Sequence, residues 1–143
     1  MILPDVNLMV CAFHRDAPGH ATAANFLGDV VAGPEELALV DQVLVGLVRV
    51  VTNRRIFEEP SPTAAAVSFV EALISAPRTR WLPTTRVVWE AFTRLSAADR
   101  QIRGNLVPDA WLAAIATEHG CRLATSDRGF ARFPGLDLVD PAT

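Results

Sequence analysis

Short apolar runs of strand length alternate along the chain with longer segments that carry apolar residues at helical spacing, and single prolines, glycines and capping residues separate them. Met1 to Leu3 is the first run. Pro4-Asp5 follows, and Val6-Asn7-Leu8-Met9-Val10 then reads as a strand turning into a helix with Asp5 at the junction. Ala17-Pro18-Gly19-His20 breaks the pattern, and Ala21 to Val31 resumes it with Ala24, Leu27 and Val31 on one face until Gly33-Pro34 stops it. Leu37 to Val40 has the length of a buried strand, and Asp41 offers an N-cap for a helix over Gln42 to Thr52. Ser61-Pro62 places a cap and an initial proline before a helix from Ala64 to Ser75, ended by Pro77.

Trp81 and Leu82 suit a third short strand, with Thr84 or Thr85 capping a helix through about Leu95. Ser96 to Gly104 is polar and reads as a helix tail or exposed loop. Pro108 to His119 is again helical, with proline at its start, alanines throughout and Gly120 just past its end. Arg122 to Thr125 forms a strand ending at Ser126-Asp127, a short turn or helix carries Phe130 and Phe133, and Leu136 to Val139 makes a last strand. Strands that are apolar throughout and alternate with helices predict an α/β fold in one domain over residues 1–143, a central parallel sheet of four to five strands flanked by helices on both faces.

Composition agrees with a folded domain. Half of the 143 residues are hydrophobic and 20% charged, outside the range of intrinsic disorder. The longest apolar stretch, Val43 to Val51, falls far short of the roughly 20 residues of a membrane span. Neither a basic residue nor a long apolar run precedes Asp5, which argues against a secretory leader and places the expected site of action in the cytoplasm. Cys11 and Cys121 form no CxxC pair and have no histidine at metal spacing, which excludes a disulfide framework or a structural zinc site. All thirteen basic residues are arginine against sixteen acidic ones, a net charge of −3. The missing lysine removes P-loop and Schiff-base chemistry.

Polar residues just after the strands of an open parallel sheet are the first candidates for chemistry. Asp5 and Asp127 stand there, and Asp109 opens the alanine-rich helix, where the helix dipole favours an ionised carboxylate. An aspartate at such a place is more often a cap than a ligand, as Asp41 illustrates, so no single one carries the argument. Together they do more. Asp5-Val6-Asn7, Gly104-Asn105 to Asp109 and Thr125-Ser126-Asp127 each add small oxygen-bearing neighbours, the donor chemistry of a hard cation such as Mg²⁺. His14, His20 and His119 are scattered and form no competing site.

Four segments, Ile2 to Asn7, Leu47 to Asn53, Gly104 to Ala110 and Leu123 to Phe130, resemble in order the PIN-domain ribonuclease toxins of VapBC toxin-antitoxin systems, nearly end to end. The resemblance implies a metal-dependent endoribonuclease in which Asp5, Asp109 and Asp127 hold Mg²⁺ or Mn²⁺ and a water attacks the phosphodiester without a covalent enzyme intermediate. Thr125, Ser126, Asn7 and Asn105 would orient carboxylates or water. It further implies a VapB-like antitoxin that blocks the site, a homodimeric toxin and a tRNA, rRNA or mRNA target. Among the arginines, Arg49, Arg103 and Arg128 are the candidates for RNA phosphate contacts, alongside Arg54, Arg55 and Arg100.

One departure matters. The family's usual helical glutamate matches Gly46 here, and Asp41 lies about 140° around and about 7.5 Å along a helix from it, so it is no simple replacement. That loss keeps open a weakened PIN fold that binds RNA or protein without cutting. An aspartate-based phosphoryl-transfer domain is the remaining alternative, against which the absence of lysine and of a second aspartate beside Asp5 both count. Phe57, Phe69, Trp81, Trp89, Phe92 and Trp111 are expected in the core or an interface rather than as a base-stacking platform.

Overall fold

The computed structural model describes all 143 residues. Five three-residue strands, β1 (Ile2–Pro4), β2 (Leu37–Leu39), β3 (Thr79–Trp81), β4 (Arg122–Ala124) and β5 (Asp137–Val139), form one sheet in the order β3-β2-β1-β4-β5. Every pairing is parallel. β1 and β2 are buried along their length, which is why their sequence is apolar without alternation. β3 is an edge strand, and its exposed Arg80 and Trp81 reflect that place.

Six helices flank the sheet: α1 (Val6–Phe13), α2 (His20–Ala32), α3 (Asp41–Val51), α4 (Thr63–Ile74), α5 (Arg86–Ala98) and α6 (Leu106–Glu118). α1 packs on α2 and α3, α3 on α4, and α5 on α6. Ala110, Leu112, Ala113, Ala114, Ile115 and Ala116 of α6 are all buried, and its alanines let the helix backbone approach its neighbours closely. Thirty-three buried residues form a contiguous apolar core, so deleting a fully buried side chain such as Leu47 or Ile115 is of the class that costs about 2–5 kcal/mol.

Several boundaries differ from the sequence reading, each for a local reason. α6 begins at Leu106, so Pro108 sits inside its first turn, where no intrahelical N–H is required. Gly104, at φ 57°, makes the left-handed turn before it. Asp41 is the first residue of α3, not a side-chain cap; its carboxylate accepts a hydrogen bond from the Trp81 indole at 2.5 Å instead. Pro62 and Thr85 precede α4 and α5 without capping them through a side chain. β3 lies one to two residues earlier than expected, because Thr79–Trp81 pairs in register with Leu37–Leu39. α5 runs on to Ala98, and Asp99 then ties the following turn through Arg132 at 2.8 Å.

The aromatic residues divide. Phe13 and Phe69 pack edge to face at 5.4 Å, and Trp89, Phe92 and Trp111 form a cluster between α5 and α6. Trp81 and Trp89 nevertheless stay half-exposed.

Candidate active site

The chain runs from β1 outward to β2 and β3, then returns to place β4 on the other side of β1. Strand order therefore reverses between β1 and β4, and the crevice at their carboxyl ends is where open α/β sheets bind ligands. Asp5 follows β1 and Thr125-Ser126-Asp127 follow β4, with Pro4 opposite Ala124 in register. Two segments more than a hundred residues apart in sequence thus meet at that crevice through a single pair of neighbouring strands.

Asp5 is buried and does two jobs. As the N-cap of α1, its Oδ1 accepts the Leu8 N–H at 2.6 Å, and its Oδ2 accepts the Thr125 hydroxyl at 2.6 Å. Thr125 is buried as well, and its Oγ1 accepts the Asp127 N–H at 2.9 Å. One hydroxyl therefore braces the ends of β1 and β4 against each other. Asp127 caps the 3₁₀ helix Arg128–Arg132, its Oδ1 accepting the Gly129 N–H at 2.7 Å. Capping and a role at the site are not alternatives here, since a carboxylate oxygen that accepts one N–H keeps a second lone pair.

Asp109 reaches the same crevice from the first turn of α6. Burial pushes the Asp5 carboxyl above the usual aspartate range, hydrogen bonds from Thr125 and Leu8 pull it back, and the charges of Asp127 and Asp109 push it up again. Burial likewise raises Asp109, with Asp127 adding to it. Each of the six salt bridges of the structure lies elsewhere, so no protein cation offsets the three charges.

Such a donor set suits a hard divalent cation: oxygen atoms only, mutually repelling, and lacking a counter-charge. No three His, Cys, Asp or Glu side chains converge closely enough to cage an ion by themselves. The fit is therefore to an ion held by one or two carboxylates and keeping most of its waters, the usual manner of Mg²⁺.

The remaining sequence candidates separate. Thr125 contacts Asp5 directly, whereas Asn7 and Ser126 are exposed and line a cleft beside Asp127. Asn105 is the N-cap residue of α6 but makes no side-chain cap bond. Arg49, Arg103 and Arg128 are exposed, and the ion pairs of the structure use other arginines. His119 ends α6 and its Nε2 lies 2.9 Å from the Pro83 carbonyl oxygen, a tie to the residue after Leu82. Gln42 was not among the candidates. Its Nε2 donates to the Pro108 carbonyl at 2.9 Å, linking α3 to the turn that carries Asp109, while its Oε1 is buried without a partner. Nothing in a glutamine at the start of a helix signals that contact in advance.

Gly46 faces Val6. A Cβ built on Gly46 would stand 2.8 Å from one Val6 methyl and 3.3 Å from the other. The valine that follows Asp5 occupies the space through which a longer residue at 46 would have to leave its helix.

The PIN domain family model matches residues 2–136. VapC ribonuclease Mb2897 of Mycobacterium bovis is 42% identical over 141 residues, covering 99% of this chain and 95% of that protein. Ribonuclease VapC25 of Mycobacterium tuberculosis is 37% identical over 142 residues, 99% of each. Among solved structures, VapBC2 from Rickettsia felis bound to a DNA fragment from its promoter superposes with a TM-score of 0.73 at 21% identity, covering 98% of both chains.

Proposed function

Starting from the fact that this chain belongs to the PIN domain family and, within it, to the VapC ribonucleases, we propose that it is a metal-dependent endoribonuclease toxin acting at Asp5, Asp109 and Asp127. The observation that carries this reading is that those carboxylates lie near enough at the β1–β4 switch point for Asp127 to raise the pKa of both Asp5 and Asp109, with no protein cation to neutralise them. Asp5 and Asp109 or Asp127 would hold Mg²⁺ or Mn²⁺, which when bound supplies Lewis-acid stabilisation of phosphate charge and a more acidic water. The chain's own residues do the rest. Thr125 fixes the orientation of Asp5 by donating to Oδ2, and Leu8 fixes it through Oδ1, so the carboxylate is set before substrate arrives. Asp109, with no competing ion pair, is free to accept a proton or orient a water. Exposed Arg49, Arg103 and Arg128 would meet RNA phosphates, giving binding that weakens with salt.

Relatives named VapC and a neighbour solved as a VapBC pair support an antitoxin partner that blocks this site. A homodimeric toxin and action in the cytoplasm belong to the same reading; no helix is long and apolar enough to cross a membrane. A PIN fold kept for binding RNA or protein is the second reading, favoured by Val6 closing the space over Gly46.

Cleavage of total cellular RNA with Mg²⁺ or Mn²⁺, beside EDTA and the Asp5→Asn and Asp109→Asn variants, decides between them. Discrete fragments from wild type alone, and only with metal, are expected. Equal inertness of all three proteins beside an active control nuclease would favour the binding module.

A further inference from the structure

Beside Asp127 the surface sinks into a cleft of about 450 Å³, within the size range of small-molecule sites. α1, the start of α2, the loop after β4 and the residues after β5 wall it. Thr125, which orients Asp5 through Oδ2, is not part of its wall, whereas Leu8, whose N–H caps the same carboxylate, is. Three properties narrow what fits. Asp127 is the only charged side chain in its lining and no arginine reaches it, so a phosphate group would meet repulsion without compensation. Asn7, Thr22 and Ser126 line it with exposed, unengaged amide and hydroxyl groups, the nearby hydrogen bonds being made by Thr125 and Asp127. Leu8, Pro18, Ala23 and Pro141 supply short apolar walls against which a flat ring packs.

A partly apolar concavity with free amide and hydroxyl groups and a single carboxylate, Asp127, on the side that adjoins a phosphodiester-cutting site has the chemistry of a base pocket. We propose that the cleft receives one unstacked nucleobase of single-stranded RNA beside the phosphodiester held at the carboxylates, and that Asn7 and Thr22 read its edge. Sequence-specific RNA recognition commonly works on splayed bases in this way. The inference rests on the ribonuclease reading for the chemistry next door, but occupancy of the cleft is measurable without cleavage.

Cys11 lines the cleft and Cys121 is buried, so alkylation of Cys11 reports whether the cleft is filled. In EDTA, a single-stranded RNA pool of random sequence is expected to slow alkylation of Cys11 by iodoacetamide. An abasic oligomer of the same length and backbone charge is expected not to. Thr22→Val keeps the side chain's shape and removes its hydroxyl; because Thr22 is exposed, its melting temperature should match wild type. It is expected to weaken protection by RNA roughly two- to tenfold, the worth of one neutral hydrogen bond. In Mg²⁺, sequencing of fragment ends should show base preference at one position beside the cut flattened by a similar factor.

Equal protection by the abasic oligomer, protection by neither polymer, or a Thr22→Val protein indistinguishable from wild type in both measurements overturns the proposal. Base-dependent protection without metal-dependent cutting leaves the pocket standing and removes the nuclease reading. Metal-dependent cutting without base-dependent protection does the reverse.

Discussion

Where the strands of the sheet begin, carboxylates are matched with cations: Glu35 takes both Arg122 and the N-terminal ammonium, and Glu36 takes Arg80 at 3.4 Å. Where the strands end, Asp5, Asp109 and Asp127 gather with no cation at all. Both arrangements draw on β1 and β4, only three residues long, the first adding Glu35 and Glu36 from the approach to β2 and Arg80 from β3. At the first end the Arg122 hydrogen bond holds the Glu35 carboxyl below the usual glutamate range; at the second, burial and neighbouring charge raise Asp5 and Asp109. A chain that balances charge at one end of its sheet and leaves it unbalanced at the other concentrates electrostatic cost at the end where the proposed site lies.

The largest effect is expected from removing the neutral brace of the unbalanced end. Thr125→Val keeps the side chain's shape but leaves Asp5 Oδ2 and the Asp127 N–H without their shared hydroxyl. Leaving buried polar groups unpaired costs about 1–3 kcal/mol, and if Asp5 holds the proposed metal, losing the residue that orients it should cost about 10–100-fold in metal affinity or activity. Chemical denaturation and RNA cleavage at fixed Mg²⁺ measure the two losses separately. Thr125→Ser should recover most of both. If Thr125→Val cut RNA as well as wild type, the hydroxyl would be holding strands together and nothing more.

Gly46→Glu tests the same end by adding a carboxylate to it. Its Cβ would meet the Val6 methyl groups at 2.8 and 3.3 Å, and overpacking of this kind costs about 1–3 kcal/mol. Val6→Ala in the same chain opens that space, so the double variant is expected to regain stability relative to Gly46→Glu alone and to bind Mn²⁺ more tightly than wild type. Thermal melts with and without Mn²⁺ read both. Additive destabilisation by the two substitutions would mean that Val6 and Gly46 are not a matched pair.

The elements and the places of the three candidate aspartates on them are legible in the sequence because each is marked locally, Asp5 at a strand-to-helix junction, Asp109 in an alanine-rich helix and Ser126-Asp127 at a strand end. What was not legible depends on which strands are neighbours. Thr125 could be named as a supporting residue, but its partner, 120 positions away, follows only from β4 lying beside β1. Asn7 and Ser126 share with Thr125 the expectation of orienting carboxylates or water, yet they line the cleft beside Asp127, and only Thr125 hydrogen-bonds Asp5. The Gln42 contact with Pro108 and the Trp81 contact with Asp41 are likewise tertiary, joining positions 66 and 40 apart. The start of α6 was missed because proline is a strong N1 signal but equally compatible with any first-turn position.

The two ends also differ in the sign of their pH dependence, the smallest effect considered. For Asp5 and Asp109 the folded state binds protons more tightly than the unfolded chain. Between the ordinary aspartate pKa, about 3.9, and their raised folded values, stability of the metal-free protein should therefore fall as pH rises. Glu35 works oppositely: its folded value is lowered, so its contribution is present above the ordinary glutamate range and lost as pH falls through the folded value. Its exposed pair is worth no more than about 1 kcal/mol. Melting temperature against pH in EDTA should show both limbs. Asp5→Asn should flatten the loss toward neutral pH, and Mg²⁺ should reduce it in wild type, since a cation stabilises the ionised carboxylates that folding alone disfavours. Arg122→Gln should flatten only the acid limb. If Asp5→Asn left the neutral-side slope unchanged, the uncompensated acids would not be its source, and the electrostatic contrast between the two ends would lose its energetic content.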